Sequence, residues 1–180
     1  MVTGKRDQSG QALLEMALIL PIFVIFVLGV TDFSRAIYDR EVTTNLAGEG
    51  SSLALRGSTL ITTAATIMAQ TDINMNGLGC VIVTSVNSPD GTSFKITGQA
   101  ISTPCNTGSS QIGSCQADHN GNCTGSASVP SYVRTVLQAN SSTTVYVTEV
   151  YYKFNYITSI GLWLKSNNIL PARLYSVAYY

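Results

Sequence analysis

An apolar run of about 19 residues, Ala12–Val30, dominates the N-terminal part of the chain, and its one charged residue is Glu15. At a helical rise of 1.5 Å per residue, such a run is long enough to cross a hydrocarbon core of about 30 Å. Apolar residues continue to recur near helical spacing after this run. The pattern therefore predicts one helix over residues 11–56, with a membrane span at about residues 12–30.

Pro21 lies inside this predicted helix. A proline has no N–H to donate, so it removes the helical hydrogen bond to the carbonyl of Ala17. The sequence therefore predicts a kink or local melting of the helix at Pro21.

After residue 56 the pattern of polar and apolar positions first predicts a second helix and then predicts strands. Gly57 followed by Ser58 and Thr59 predicts a helix stop and a new N-cap, with a second helix from about Leu60 to Gln70. From there the chain favours strands, because β-branched and alternating residues replace the helical spacing. The remaining predicted elements are a hairpin of Cys80–Val86 and Ser93–Ser102 around the turn Ser88–Gly91, a surface loop over residues 103–131, a short helix Ser131–Ala139, a strand Thr143–Tyr156 and a strand Arg173–Tyr180.

These elements predict an α+β fold in which the long N-terminal helix packs on a four-stranded antiparallel sheet. The predicted organisation is a short polar segment at residues 1–10, the hydrophobic helix at residues 11–56 and an α+β globular domain at residues 57–180. The Gly-, Ser-, Asn- and Cys-rich loop 103–131 belongs to that domain.

The charge content separates this chain from an ordinary cytosolic domain. Charged residues make up 11% of the chain, whereas roughly 25% is usual. The 10 basic and 10 acidic residues balance, so no net field attracts nucleic acid. The uncharged, hydroxyl-rich second half favours an exported domain.

The four cysteines are Cys80, Cys105, Cys115 and Cys123, all C-terminal to the apolar run. An even number in a translocated region predicts two disulfides, and three pairings are possible. Spacing favours a local closure within Cys105–Cys123, but the sequence leaves the pairing open. A zinc site would need CxxC-like pairs or several histidines, and neither is present.

A cleavable secretory signal is the competing interpretation of the apolar run. Its hydrophobic region would be shorter, about 7 to 15 residues, and would end in a small-x-small site, which is missing after Val30. Lys5 and Arg6 precede the run. By the positive-inside rule they predict a single-pass protein with its N-terminus in the cytoplasm.

Glu15 carries the strongest chemical signal, because an ionised carboxylate facing lipid costs several kcal/mol unless it is paired or neutralised. A polar segment with two cations ends at Gly10, directly before Gln11. Cleavage after Gly10 would make Glu15 the fifth residue of the mature chain. A glycine at the cleavage position would also keep a side chain out of the peptidase site. The alternatives are a snorkelling or protonated carboxylate and an incidental loop glycine.

The segment from Gly10 to Pro21, followed by Gly29–Tyr38, resembles the TadE-like pilins of the tight-adherence (Tad) pilus systems, and its start resembles the class III signal of type IV prepilins. Met16 departs from the family pattern, in which an aromatic residue often follows the glutamate. The resemblance implies that residues 1–10 are a prepilin leader peptide, which a prepilin peptidase removes by cleavage between Gly10 and Gln11. It also implies that Glu15 contacts the free amino group of Gln11 in a neighbouring subunit or in its own chain.

The resemblance further implies where the protein acts and what it binds. The expected partners are other pilin subunits, the prepilin peptidase, the inner-membrane pilus assembly machinery and, before assembly, membrane lipid. The expected location is the cytoplasmic membrane of a bacterium or archaeon and then an extracellular pilus that serves surface adhesion. No cofactor and no enzymatic activity are expected.

Other candidate motifs are weaker. Asp72–Gly77 matches the first half of an EF-hand calcium loop, but Val83 stands where a bidentate glutamate belongs, so an Asx-rich turn is the preferred interpretation. His119 is the one histidine, and no nucleophile motif or phosphate-binding loop accompanies it. A tyrosine cluster could form an adhesive surface or simply pack the sheet; its members are Tyr146, Tyr151, Tyr152, Tyr156, Tyr175, Tyr179 and Tyr180.

A second class of function is also compatible with the sequence. A single-pass, membrane-anchored binding or sensor domain would have the same span but would keep residues 1–10 and would not polymerise. The N-terminal sequence of the exported protein distinguishes the two.

Overall fold

The computed structural model describes residues 8–106, 108–117, 122–140 and 142–180. These residues adopt the α+β fold that the sequence predicts. The helices are α1 (Gln8–Leu55), α2 (Leu60–Ala69), α3 (Ser131–Ala139) and α4 (Ser159–Ser166). The strands are β1 (Gly79–Asn87), β2 (Lys95–Ile101), β3 (Gln116–Ala117), β4 (Asn122–Ser126), β5 (Thr144–Lys153) and β6 (Arg173–Tyr179).

The chain forms two compact units that share α1. The first unit comprises α1 up to Ile37 together with Asn155–Leu170, which includes α4. The second comprises Tyr38–Phe154 and Pro171–Tyr180 and contains the whole sheet.

The sheet of the second unit is antiparallel, with the strand order β3-β4-β2-β1-β5-β6. β1 is central and pairs with β5 over its whole length, from Gly79 opposite Tyr152 to Asn87 opposite Thr144. Every residue of β1 except Asn87 is buried. Burial on both faces explains why this strand is a nearly continuous β-branched run.

The predicted hairpin forms, and its turn has a clear chemical basis. The Asp90 carboxylate accepts hydrogen bonds from the N–H groups of Thr92 and Ser93 and from Ser93 Oγ. These bonds hold the pKa of Asp90 well below its usual range. Gly91 follows with φ +67°, a left-handed conformation that a glycine adopts without strain.

The C-terminal part of α1 packs on β5 and β6 within the second unit. Leu46, Ala47 and Ala54 are buried, and Ser51 Oγ donates to the Ala178 carbonyl of β6 at 3.0 Å. A Cβ placed on Gly50 would lie only 2.7 Å from Thr148 Cγ2 of β5. Small residues therefore allow this part of the helix to approach the sheet closely.

The predicted surface loop 103–131 is partly wrong, because the segment contributes two further strands. β4 pairs with the edge of β2, and β3 pairs with β4. Ile112 and Val129 are buried with Val133 and Leu137 of α3. Isolated apolar residues among many polar ones give no periodic signal, so the four-stranded prediction omitted these strands.

The C-terminal elements differ from the prediction in two places. β5 ends at Lys153 rather than Tyr156, and α4 follows where the sequence predicted no helix. Thr158 is the N-cap of α4, and its Oγ1 accepts the N–H of Gly161 at 3.0 Å. The predictions for α2, with Thr59 as its N-cap, and for α3 are confirmed.

Candidate functional site

The first part of α1 presents an apolar surface that the described residues leave uncovered. α1 is long and apolar enough to cross a membrane, and none of its most apolar 18-residue window is buried. An apolar surface of this size indicates contact with lipid or with other proteins. Its large side chains are between 39% and 72% exposed: Leu13, Leu14, Met16, Leu18, Ile19, Leu20, Ile22, Phe23, Val24, Ile25, Phe26, Val27, Leu28 and Val30.

Glu15 lies on this surface, one helical turn after Gln11. Gln11 Nε2 donates a hydrogen bond to Glu15 Oε1 at 3.3 Å, and both side chains are exposed. Residues four apart are neighbours on a helix, so the two predicted assembly residues lie side by side. A neutral amide donates a hydrogen bond but does not compensate the charge of a carboxylate.

The predicted cleavage position lies within α1, which begins at Gln8. Among the described residues, and beyond its own helical turn, a Cβ placed on Gly10 would meet nothing within 4 Å. Packing in this fold therefore does not require a glycine here. Lys5 and Arg6 lie outside the described residues.

The prediction for Pro21 has a mixed outcome. α1 stays helical on both sides of Pro21 and through it, so no local melting occurs there. The kink stays a prediction.

The structure pairs Cys80 with Cys105 and Cys115 with Cys123, with Cα–Cα distances of 4.8 Å and 5.4 Å. The first disulfide attaches the start of β1 to the segment that follows β2. The second joins residues next to β3 and in β4, where little apolar surface holds the chain. Both therefore restrain the Cys-rich segment 103–131.

Asp32 forms a buried site that the sequence analysis missed. In the sequence, Asp32 is simply one of several charged residues that follow the predicted span. It is 3% exposed. Its Oδ1 accepts the N–H of Ile157 at 3.1 Å, and its Oδ2 accepts from Thr158 N and Oγ1 at 3.2 Å and 2.5 Å. Burial raises the pKa of Asp32, but these hydrogen bonds and the charge of Arg35 outweigh it, so the pKa lies below its usual value.

Gly161 completes the Asp32 site. A Cβ on Gly161 would overlap Asp32 Oδ2 and would lie 2.7 Å from Tyr156 Cδ1. The carboxylate thus occupies the N-terminal end of α4, where a negative charge is favourable. Asp32 therefore fixes α4 to α1 just after the apolar run.

A second missed carboxylate is Glu149, which is fully buried in the middle of β5. It accepts hydrogen bonds from Ser110 Oγ, from Gln111 N at 2.8 Å and from the hydroxyls of Tyr151 and Tyr175 at 3.1 Å and 3.0 Å. Burial and the charge of Glu149 raise the pKa of both tyrosines. Glu149 therefore holds the Cys-rich segment on the sheet. A lone acidic residue in a β-branched strand was the available sequence signal.

The weaker motifs have structural roles where they are described. Asn74 Oδ1 accepts the N–H of Asn76 at 3.1 Å, which is the Asx turn that the sequence analysis preferred for Asp72–Gly77. His119 lies outside the described residues. In the tyrosine cluster, Tyr151, Tyr152 and Tyr156 are buried, while Tyr175 and Tyr180 are 43% and 56% exposed.

Comparison with known protein families gives a match over part of the chain. Residues 10–52 match the family model described as TadE-like protein. No curated protein and no solved structure matches the chain significantly. The matched residues include Gly10, Glu15, Pro21 and Asp32. The match confirms the resemblance noted in the sequence: over residues 10–52 this chain is similar to the TadE-like family.

Proposed function

We propose that this chain is a pilin-like subunit of a Tad-type pilus. It is inserted in the cytoplasmic membrane through residues 12–30 of α1, with its N-terminus in the cytoplasm and residues 57–180 outside. A prepilin peptidase removes residues 1–10, and the mature subunit assembles through α1 into an extracellular filament that adheres to surfaces.

The observation that carries this proposal is the uncovered apolar surface of α1 with Glu15 upon it. Fourteen large apolar side chains between Leu13 and Val30 are exposed in the described structure. Lipid covers such a surface before assembly, and the same surfaces of other subunits cover it afterwards. Van der Waals packing between helices drives their association out of lipid.

Processing after Gly10 is tested by the mass and N-terminal sequence of the exported protein. We expect the mature chain to begin at Gln11. Gly10→Leu should accumulate the uncut precursor in the membrane, because the added side chain would enter the peptidase site. A clash within the fold would not explain this result, because a Cβ at Gly10 meets nothing in the described structure. An exported form that still carries residues 1–10 would contradict processing and would favour the membrane-anchored binding or sensor domain.

The assembly role is assigned to Glu15 and to the amino group that cleavage creates on Gln11. An ionised carboxylate in an apolar environment needs a partner of opposite charge, and the side-chain amide of Gln11 does not supply one. Glu15→Ala should insert into the membrane normally but should be depleted from sheared filaments. Glu15→Gln separates the contribution of charge from that of hydrogen bonding.

The matched control is Glu41→Ala, which removes an exposed carboxylate from α1 beyond the apolar run. This variant should assemble like the parent. Equal recovery of Glu15→Ala and the parent in filaments would contradict the assembly role, whatever the outcome of the processing test.

A further inference from the structure

The segment 157–170, here called the α4 segment, exposes more apolar surface than a short connection needs. Ile157, Leu162, Trp163 and Ile169 are 68%, 52%, 61% and 59% exposed. Ser159, Ser166, Asn167 and Asn168 are exposed between them. The outer face of the segment is therefore a mixture of large apolar and small polar side chains.

The inner face of the α4 segment is fixed to α1 immediately after the apolar run. Asp32 accepts hydrogen bonds from Ile157 and Thr158, and Gly161 lies against its carboxylate. A small, mostly apolar cavity of about 160 Å³ lies between the two helices. Its lining includes Gly29, Phe33 and Ala36 of α1 and Ile160, Leu164 and Leu170 of the α4 segment.

These contacts set the depth of the α4 segment relative to a membrane that α1 crosses. Along the helix axis, Gly29 lies about 1.5 Å before Val30 and Ala36 lies about 9 Å after it. The polar headgroup region extends roughly 5–8 Å beyond each side of the hydrocarbon core. The α4 segment is therefore attached at the level of the headgroups.

We propose that the outer face of the α4 segment binds the membrane interface, as a second contact that does not span the bilayer. The proposal rests on the insertion of α1 in the membrane. Trp163 lies among the headgroups, and Leu162 and Ile169 reach the boundary of the acyl chains. Tryptophan is enriched at this depth because its ring is apolar and its N–H is a donor.

Lipid is the occupant that fits this surface, because the segment is attached to α1 directly after the exposed apolar run. Serine and asparagine side chains beside the apolar residues suit a layer that is partly hydrated. Two contacts with one membrane, joined by the buried Asp32, hold the first unit in a fixed orientation at the bilayer surface.

Trp163 is the one tryptophan of the chain, so its fluorescence reports on this segment directly. The full chain is reconstituted in vesicles of phosphatidylcholine and phosphatidylglycerol whose acyl chains carry bromine near the headgroup or near the bilayer centre. We expect emission at a shorter wavelength than that of tryptophan in water. We also expect a larger loss of emission with the shallow bromines than with the deep ones.

Two results would overturn the proposal. One is water-like emission that neither lipid quenches. The other is short-wavelength emission that neither lipid quenches and that depends on protein concentration, because a neighbouring subunit would then cover the surface.

A control variant separates this inference from the proposed function. The double variant Trp163→Phe and Phe23→Trp moves the probe to the middle of the span, where deep bromines should quench most. If they do not, α1 is not inserted and the proposed function fails. If deep bromines do quench the probe at position 23 but neither lipid quenches Trp163 in the parent, only the inference about the α4 segment fails.

A second variant tests the surface without touching α1. Leu162→Ser combined with Ile169→Ser removes two exposed apolar side chains and keeps the inner residues and Asp32. The emission of Trp163 should shift to longer wavelength, and shallow quenching should fall. Unchanged emission and quenching would contradict the proposed contact.

Discussion

The two parts of α1 have the same secondary structure but opposite surfaces. Between Leu13 and Val30, large apolar side chains point away from the described structure. Between Leu46 and Ala54, small residues such as Ala47 and Gly50 are buried against the sheet. The helix is therefore built for two environments, and the residue sizes differ accordingly.

Residue size follows from what each surface must contact. A bilayer adapts to bulky side chains, and the hydrophobic gain grows with the apolar area removed from water. A sheet is a fixed surface, so close approach of a helix backbone selects small residues. Asp32 lies between the two parts, and exposed apolar side chains continue beyond it at Phe33 and Ile37.

The largest expected effect comes from removing the first part of α1. A chain that begins at Asp32 should be lost from the membrane fraction and should be soluble and monomeric, because residues 12–30 form the long exposed apolar surface. Cell fractionation, size-exclusion chromatography and circular dichroism measure the change. If this shortened chain still formed long filaments, assembly would reside in the sheet-containing unit and the proposed mechanism would be wrong.

The second unit should depend on its disulfides rather than on lipid. Cys80 and Cys105 are 25 residues apart, and Cys115 and Cys123 are 8 apart. Loop-closure entropy then predicts losses of roughly 3.5 and roughly 2.5 kcal/mol of unfolding free energy when each pair is replaced by alanine. Urea unfolding of the two double variants measures the difference. Four free thiols in alkylated exported protein would contradict the oxidised state.

Two glycines of α1 should respond to alanine with opposite signs. A Cβ on Gly50 would lie 2.7 Å from Thr148 Cγ2 and 2.9 Å from its Oγ1, whereas a Cβ on Gly48 would meet nothing within 4 Å. Gly50→Ala should lower the free energy of unfolding by about 1–3 kcal/mol through overpacking. Gly48→Ala should raise it by about 0.5–1 kcal/mol through helix propensity. Equal shifts in the two unfolding midpoints would show that the sheet does not constrain Gly50.

The parts of the fold that were predictable from sequence are those with a local cause. The long apolar run, the Thr59 cap of α2 and the Asp90–Gly91 turn each contain their own signal within a few residues. The apolar surface with Glu15 was predictable for the same reason, because depth in a membrane depends on the length and composition of one segment.

The parts that were not predictable depend on residues far apart in the chain. α4 has eight residues, too few for a periodic pattern, and its N-terminal end is held by Asp32, 125 residues before Ile157. β4 exists because β2 offers it an unpaired edge. The burial of Glu149 is explained only by the hydrogen bonds that it accepts from Ser110 and Gln111. The sequence near each of these residues does not indicate which distant residues they contact.

The smallest effect should be a dependence of the α4 attachment on pH. The pKa of Asp32 is lower in the folded protein than its ordinary value of 3.8. Its stabilising contribution is therefore fully present above about pH 4 and is lost as the pH falls through the lower, folded pKa.

Asp32→Asn should weaken the attachment of α4 at pH 7, and the loss of stability relative to the parent should shrink toward acid pH. Trp163 emission, followed during denaturation at several pH values, measures this, and Asp72→Asn controls for the loss of one exposed charge. A deficit that stays constant between pH 7 and acid would mean that the contribution of Asp32 does not depend on its ionisation, and the attachment of α4 to α1 would then not depend on charge.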